Sequence, residues 1–579
     1  MGLTRRQFVR LMSTLAAIST TGAVAGCGDD ASNDGTTTDG GLDAGADAAT
    51  DGGLDAGEDA GEVPFVDDDW QSDPTDPDDL PEYSYDGEPG PETLFDVGVA
   101  SGDPLPGAVI LWTHVAPDTD GPVEVWWEVA RDPDFVSRVQ VGTIEVDGET
   151  DYCAKVDVGD LLPGRPYYYR FHALGRTSVV GRTRTAPVGR VQNLRFGVCS
   201  CACYTSGYYH GYRSLAERSD LHAVLHLGDY IYEGGATYLQ QVEERVHVPA
   251  SRIVELDDYR QRYHHYRTDE DLQEVHRQHP MIHVWDDHES LNNSWRDGAD
   301  GFDGTAEEWA VRKGNAYRAM IEWMPIRETG TDLRVWRTFQ YGDLAEVIML
   351  DTRIYDRDEQ VNAGSPDMLD PERSILGEEQ ASWLDERLCE TPAQWKIIGQ
   401  QVMFAPLQIG GTGLNPDQWD GYAASRERIY DVLGECGVND VVVLTGDIHS
   451  TWASDLPRNP IDPETYDPET GEGSLGVEFV CTSISTQSLG DTDALEDFVL
   501  DFNPHMKWVD LNQRGYLVLD LTPERAQAAW THYESVLTPD RDAAGEYTAR
   551  IFSTQTGANR LREDDTAAQP LTAVPAPAP

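Results

Sequence analysis

Six apolar runs recur between Leu194 and His449: LRFGVC, HAVLHLGD, MIHVWDDHE, AEVIMLDTR, WKIIGQQVMF and DVVVLTGDIH. Each stops on polar, charged or metal-capable residues. Runs of this length, rich in Val, Ile and Leu at consecutive positions, read as strands buried on both faces. Helical stretches lie between several of them, such as GEEQASWLDERL from Gly377 and ASRERIYDVLGEC from Ala424. Strand alternating with helix predicts an α/β domain with its sheets between helices. In open α/β sheets, sites are built at the carboxyl ends of strands.

The pattern is different from Leu94 to Pro187. AVILWTHV, GPVEVWWEVA, LLPGRPYYYRFHAL and TSVVGRTRTAP are short segments of β-rich composition broken by Pro and Gly. They predict a smaller all-β sandwich of immunoglobulin-like kind, about 100 residues long. No catalytic constellation shows in it. The chain therefore divides into residues 1–27, 28–90, 91–189, 190–560 and 561–579: a signal, a tether, the β-sandwich, the α/β domain and a tail without structure.

Composition supports large cores, with 39% hydrophobic residues, 15 Trp and 25 Tyr in 579 residues. The formal net charge of −60 argues against a nucleic-acid partner, because a phosphate backbone needs a basic face. Between Gly28 and Gly90 lie roughly 20 acidic residues and no Lys or Arg. DGGLDAG occurs there twice, at Asp39 and at Asp51. Such a segment buries too little apolar area to offset its ordering entropy. It reads as a self-repelling linker, and the spacing fits no calcium-binding loop.

Ahead of the tether, TRRQFVRLM (Thr4 to Met12) carries Arg5-Arg6 before a modest apolar run, and VAGC ends on Cys27. The first resembles a twin-arginine signal, which exports folded proteins, and the second a lipobox that leaves Cys27 lipidated. The alternative is a plain secretory signal with an incidental Cys27. A periplasmic or cell-surface lipoprotein is expected, meeting the membrane only through its lipid and otherwise monomeric. Of eight cysteines, seven remain after Cys27, and their pairing is not readable from sequence.

The strand ends carry the chemistry. VCSCAC gives Cys199, Cys201 and Cys203. GDYIYE gives Asp229 and Tyr232. WDDHESLNN gives Asp286, Asp287, His288, Asn292 and Asn293, and TGDIH gives Asp447 and His449. One such end is an ordinary turn, whereas four in one domain point to a shared site.

With these residues in place, the chain resembles the alkaline phosphatase D (PhoD) family, a branch of the calcineurin-like metallophosphoesterases. The matching stretches are GVASGDPLPGAVILWTHV, SCACYTSGYYHGY, HLGDYIYE, WDDHESLNN, YGDLAEVIMLDTR, GQQVMF, WDGY, LTGDIHSTWASDL and VEFVCTSIS. The GDxxY pattern is also similar to that of purple acid phosphatases. The resemblance implies a layered α/β/β/α metallophosphoesterase sandwich behind the N-terminal β-sandwich. It further implies a ferric iron and calcium site. In it Cys201, Tyr232 and His449 bind iron and Asp229 bridges the ions. Asp447, Asp287 and Asn293 serve calcium, with Asn292 a further candidate, and His288 is the catalytic histidine.

Thiolate, phenolate and carboxylates suit a trivalent ion, while Asp and Asn oxygens suit calcium. Zinc is the alternative metal. The expected activity is hydrolysis of phosphate monoesters, diesters or both by a metal-activated hydroxide. His288 would act as acid. Arg353, in LDTR, is expected either to clamp the substrate phosphate with its forked donors or to form a structural salt bridge. Gln400 and Gln401 are expected behind the ligands. The net negative charge does not bar an anionic substrate, because bound ions dominate the local field. The alternatives are a phosphodiesterase acting on phospholipid or teichoic-acid-like polymers, and a non-catalytic calcium-dependent surface lipoprotein.

Overall fold

The computed structural model describes residues 80–328, 330, 333–488, 493–571 and 574–579. The signal segment, Cys27 and residues 28–79 of the acidic tether lie outside the described residues, while its last stretch is bonded to the body, Tyr83 Oη accepting from Gly175 N and Gly90 N donating to Leu174 O, each at 2.8 Å.

Two large sheets organise the molecule. The first runs in the order Arg562–Glu563, Glu546–Gln555, Arg525–Tyr533, Arg514–Leu521, Leu194–Cys199, Ala223–His226, Pro280–His283, Val99–Leu105, Ala108–His114 and Cys153–Val158. The second runs Arg337–Tyr341, Ala345–Met349, Trp395–Gln400, Val441–Thr445, Ser474–Val480, Thr451–Pro457 and Met506–Asp510. The six apolar runs supply the central strands of both, and within each sheet those strands are parallel. Every carboxyl terminus within a set therefore faces the same way.

Period-two alternation distributes the side chains. Val347, Met349, Ile397, Val442 and Leu444 share one core with Phe196, Val198, Val224 and Ile282 of the first sheet. Their strand neighbours Ile348, Ile398, Val441 and Val443 pack with Leu384 and Leu388 of helix Gly377–Glu390 and Ile429 and Leu433 of helix Ala423–Glu435. Both faces are apolar because both are covered, which explains the continuous hydrophobic runs. A disulfide joins Cys389, in the first of these helices, to Cys436 just beyond the second.

The N-terminal region is less self-contained than its sequence suggests. Val123–Ala130, Arg138–Val146, Pro166–Ala173, Arg176–Thr177 and Gly181–Arg184 form a separate sheet. Val99–Leu105, Ala108–His114 and Cys153–Val158, however, continue the first large sheet. Ser101 and Gly102 pair in parallel with Pro280 and Met281. A bare edge on Pro280–His283 would leave backbone donors and acceptors unpaired, and these strands cover it. Gly102 permits the approach, since a Cβ there would lie 2.3 Å from Pro325 O and 2.6 Å from Met281 O. Val99, Leu111 and Val109 then pack against Val125, Val129, Tyr169 and Phe171 of the smaller sheet.

The C-terminal segment also departs from expectation. Residues 561–579 read as an unstructured tail, but Arg562–Glu563 adds a strand to Glu546–Gln555. Further on, Ala578 exchanges two hydrogen bonds with the Gln278 amide at 3.0 and 3.1 Å. Tyr168 Oη donates to Ala576 O at 2.6 Å. Side chains of the folded body satisfy this backbone, a device that composition does not reveal.

Candidate metal centre

The strand ends converge through their turns. Cys201, Asp229, Asn293, Asp447 and His449 all have left-handed backbone, with φ between 50° and 60°. Non-glycine residues adopt this region at a cost, and such strain gathers at functional sites. The turns lock to one another: Cys201 N donates to Gly228 O at 3.1 Å and Ala202 N to Asp229 O at 2.9 Å. Gly228, with φ +105°, must be glycine, because a Cβ there would lie 2.4 Å from Asp286 Cβ. The Asp229 and Asp286–Asp287 turns therefore touch.

Glu289 fastens these turns from behind. Its carboxylate accepts from the backbone N–H groups of Asp229 (3.1 Å), Tyr230 (2.7 Å) and Asp286 (2.9 Å). Gln401 does the same for other strand ends, donating to Trp285 O and Leu350 O and accepting from Thr352. Gln400 bonds Thr445 and Trp419.

Three groups of side chains could each hold an ion here: Cys201 with Asp229 and His449, Asp229 with Asp287 and His288, and Asp286 with Asp287 and Asp447. In each group the ligand atoms lie within 4.8 Å of one another. Asp229 and Asp287 each belong to two groups, which suits bridging positions. Tyr232 Oη donates to Asp229 Oδ2 at 2.7 Å, lies 3.2 Å from His449 Nε2, and accepts from Thr486 Oγ1 at 2.8 Å. Tyr230 points elsewhere, to His276 Nε2 at 2.9 Å. Among the three cysteines of VCSCAC only Cys201 joins a group. Cys199 lies over Leu225 O and Cys203 against Thr205.

His288 holds Glu233 through Nδ1 at 2.7 Å, and its ring lies 4.3 Å from that of Tyr232. Asp287 accepts from the backbone of His288 (2.9 Å) and of Asn293 (2.5 Å). The Asn293 amide turns to Asp300 at 2.7 Å. Asn292 gives its N–H to Glu233 at 3.2 Å.

Arg353 takes one of the two roles expected of it. It is fully buried. Its guanidinium is engaged by Asp286, by Asp447 and, at 2.7 Å, by Asp417. A head that binds three carboxylates and sees no solvent is the structural salt bridge, not a clamp on substrate. Asp417 is shared with Arg357 at 2.6 Å.

The electrostatics call for cations. Burial, with the neighbouring carboxylates, pushes Asp286 and Asp287 up against the pull of Arg353, and Asp447 up to about 7. Burial also works to raise Asp229, but His288, His449 and Tyr232 outweigh it and hold that carboxyl below the usual range. Burial and then Asp229 push the Tyr232 phenol and the Cys201 thiol up. Asp229 Oδ1 and Asp286 Oδ2 are buried without a hydrogen bond. Unpaired buried carboxylate oxygens, beside a phenol and a thiol that a cation would deprotonate, fit resident metal ions.

Sequence reasoning passed over Asp417, Glu233 and Glu289 and left Asp286 without a role. Asp286 and Glu289 flank the noted Asp287-His288 pair, and Glu233 follows Asp229 closely in GDYIYE. Asp417 comes from a loop with no periodicity or motif to announce it.

Comparison with known proteins agrees with this geometry. The profile of the PhoD-like phosphatase family matches residues 196–530, and that of the PhoD-like phosphatase N-terminal domain matches residues 83–187. Alkaline phosphatase D of Bacillus subtilis (strain 168) is 38% identical over 470 residues, covering 77% of this chain and 78% of that protein. A solved structure described as "Structure of PhoD" superposes with a TM-score of 0.75 at 34% identity, covering 86% of this chain and 95% of the other. With more than three quarters of the length matched on both sides and the strand ends converging as described, the chain belongs to the PhoD-like phosphatase family and is a phosphoric ester hydrolase.

Proposed function

We propose that this protein is an exported phosphatase that releases phosphate from esters at an iron and calcium centre. The observation that carries the reading is the convergence of Cys201, Asp229, Tyr232, Asp287, Asp447 and His449 on one buried spot, with two carboxylate oxygens left unpaired. Cys201, Tyr232, His449 and Asp229 would hold the iron. Asp229, Asp287, Asp447 and the Asn293 region would hold calcium, and Asp286 joins that carboxylate set. The soft thiolate and the phenolate favour iron over calcium on the first side, and the all-oxygen set favours calcium on the second. When bound, such cations supply Lewis-acid activation of water and of the phosphoryl oxygens.

The polypeptide supplies the rest. Burial works against protonation of His288, but Glu233, Asp287, Tyr238 and Asp229 outweigh it and raise its pKa well above the ordinary value. With Nδ1 fixed on Glu233, Nε2 is the position from which a proton reaches the leaving alkoxide. Glu289 and Gln401 keep the turns in register. Arg353 balances the carboxylates rather than gripping the ester.

The layering of helices on two face-to-face sheets supports the α/β/β/α sandwich, and the packing of Val99–Leu105 and its neighbours on Val123–Ala130 supports an immunoglobulin-like N-terminal unit. The Arg5-Arg6 pair and Cys27 support export and lipid anchoring of a monomer to a bacterial membrane. A Cys27→Ala chain should then be recovered in the soluble fraction.

The test pairs an aryl phosphate monoester with the matching diester on purified protein and counts metals by elemental analysis. Turnover of either substrate with iron present supports the reading, and preference for the diester selects the phosphodiesterase form of it. No turnover of either would leave a calcium-dependent binding protein, and full activity with zinc and no iron would overturn the metal assignment. Tyr232→Phe sharpens it, because loss of the phenolate should bleach any visible charge-transfer band.

A further inference from the structure

A second group of metal-capable side chains lies outside the centre, at the seam between the N-terminal strands and the α/β body. Asp96 sits in the turn before Val99–Leu105, His114 ends Ala108–His114, and His264 lies in helix Leu256–Arg267. Asp96 Oδ1 is 3.3 Å from His114 Nδ1, and Asp96 Oδ2 is 2.8 Å from His264 Nε2. The ligand atoms of all three lie within 4.8 Å of one another. Zinc bonds of about 2.0–2.1 Å in a tetrahedron place ligand atoms about 3.3 Å apart, a spacing that the two Asp96–histidine pairs at 3.3 and 2.8 Å lie close to.

The rings are held in place. Trp323 stacks on His114 at 4.9 Å and meets His264 edge-on at 5.8 Å. Its indole N–H is anchored on Asp151 at 3.0 Å. The group opens on a cleft of about 600 Å³ lined by His114, His264, Asp151, Arg260 and Trp323. Arg260, the cation in that lining, is engaged by Glu322 at 2.7 and 2.8 Å, so its charge is balanced.

We propose that Asp96, His114 and His264 form a separate site for a divalent ion of the zinc class, with one coordination position open to the cleft. Two imidazoles and one carboxylate are a zinc donor set, whereas calcium prefers oxygen throughout. Because the ligands come from both sides of the seam, the ion fastens the N-terminal strands to helix Leu256–Arg267. The site uses none of the residues of the catalytic centre.

The test uses purified, catalytically loaded protein. Wild type, His264→Ala and Asp96→Asn are exposed to zinc chloride, freed of excess and analysed for zinc and for Tm. Wild type should retain an extra equivalent of zinc that both variants lack, with affinity in the variants weakened roughly 100-fold. Zinc should raise the Tm of wild type alone. Phosphatase turnover should be the same in all three, which separates this site from the catalytic metals. Asp96→Asn keeps the size and a carbonyl acceptor for the imidazoles, so a folding defect in His264→Ala would not decide the matter. If wild type retains no more zinc than the variants, Asp96 is an ion-pair bridge between two histidines and the proposal fails.

Discussion

Three buried histidines lie on one side of the turn from Gly228 to Tyr232 and a fourth on the other, and the two sides carry opposite charge tendencies. On the strand side His226, His276 and His283 are fully buried among aromatic rings. Burial pushes all three down, His226 to about 3. On the side of the metal centre His288 is also buried, but Glu233 and Asp287 overcome the same penalty and raise it. Burial alone therefore does not decide the charge of a histidine here. Asp229 pulls His226 upward and Glu289 lies 4.0 Å from His283 Nε2, but neither outweighs burial, whereas Glu233, bonded to His288 Nδ1 at 2.7 Å, does so together with Asp287. One turn separates a neutral packing layer from an ionised reaction layer, with Tyr230 serving the first and Tyr232 the second.

The strongest way to break this contrast is to remove the charge at its centre. Asp229→Asn keeps the shape but not the anion, and turnover should fall to background with loss of bound metal on elemental analysis. Next is His288→Ala, which should retain metal while kcat falls roughly 100-fold to 10,000-fold. Wild-type-like turnover there would remove His288 from the reaction. Glu233→Gln tests what holds the ring, and a loss on the order of 10-fold to 100-fold is expected, with metal content unchanged.

The neutral layer gives smaller effects, read in stability rather than rate. Unfolded, His226 regains its ordinary pKa of 6.5, whereas folded it titrates near 3. The unfolded chain thus binds a proton that the native one refuses. Stability should be greatest above pH 6.5 and decline as pH falls toward 3, by about 1.4 kcal/mol per pH unit for this residue. Denaturant melts at successive pH values measure the slope, and His226→Gln should flatten it by that amount. Smallest of all, Tyr230→Phe deletes one hydrogen bond to His276 and should cost about 1 kcal/mol with turnover intact. If Tyr230→Phe were as damaging to catalysis as Tyr232→Phe, the two-layer division would not stand.

Much of the centre was legible because its residues are local to strand ends. A strand must stop, and GDYIYE, WDDHE and TGDIH each place a carboxylate where it does. Cys201 could be singled out from Cys199 and Cys203 only by resemblance until the turn was seen, because strand alternation does not extend through a left-handed residue. The two roles open to Arg353 could be separated only in the fold for a similar reason. An arginine after a strand looks like a phosphate ligand, but three carboxylates from three separate segments neutralise it.

The sequence by itself determined the alternation of strand and helix, the covered faces of the parallel strands, and the residue types at their ends. Those are consequences of local hydrophobic periodicity and turn chemistry. Tertiary structure alone decided that Cys389 pairs with Cys436 and that Asp417 reaches Arg353. It also decided that Val99–Leu105 completes the large sheet, and that His114 and His264 meet over Asp96. Each of these joins positions far apart in the chain, where spacing along the sequence carries no information about distance in space.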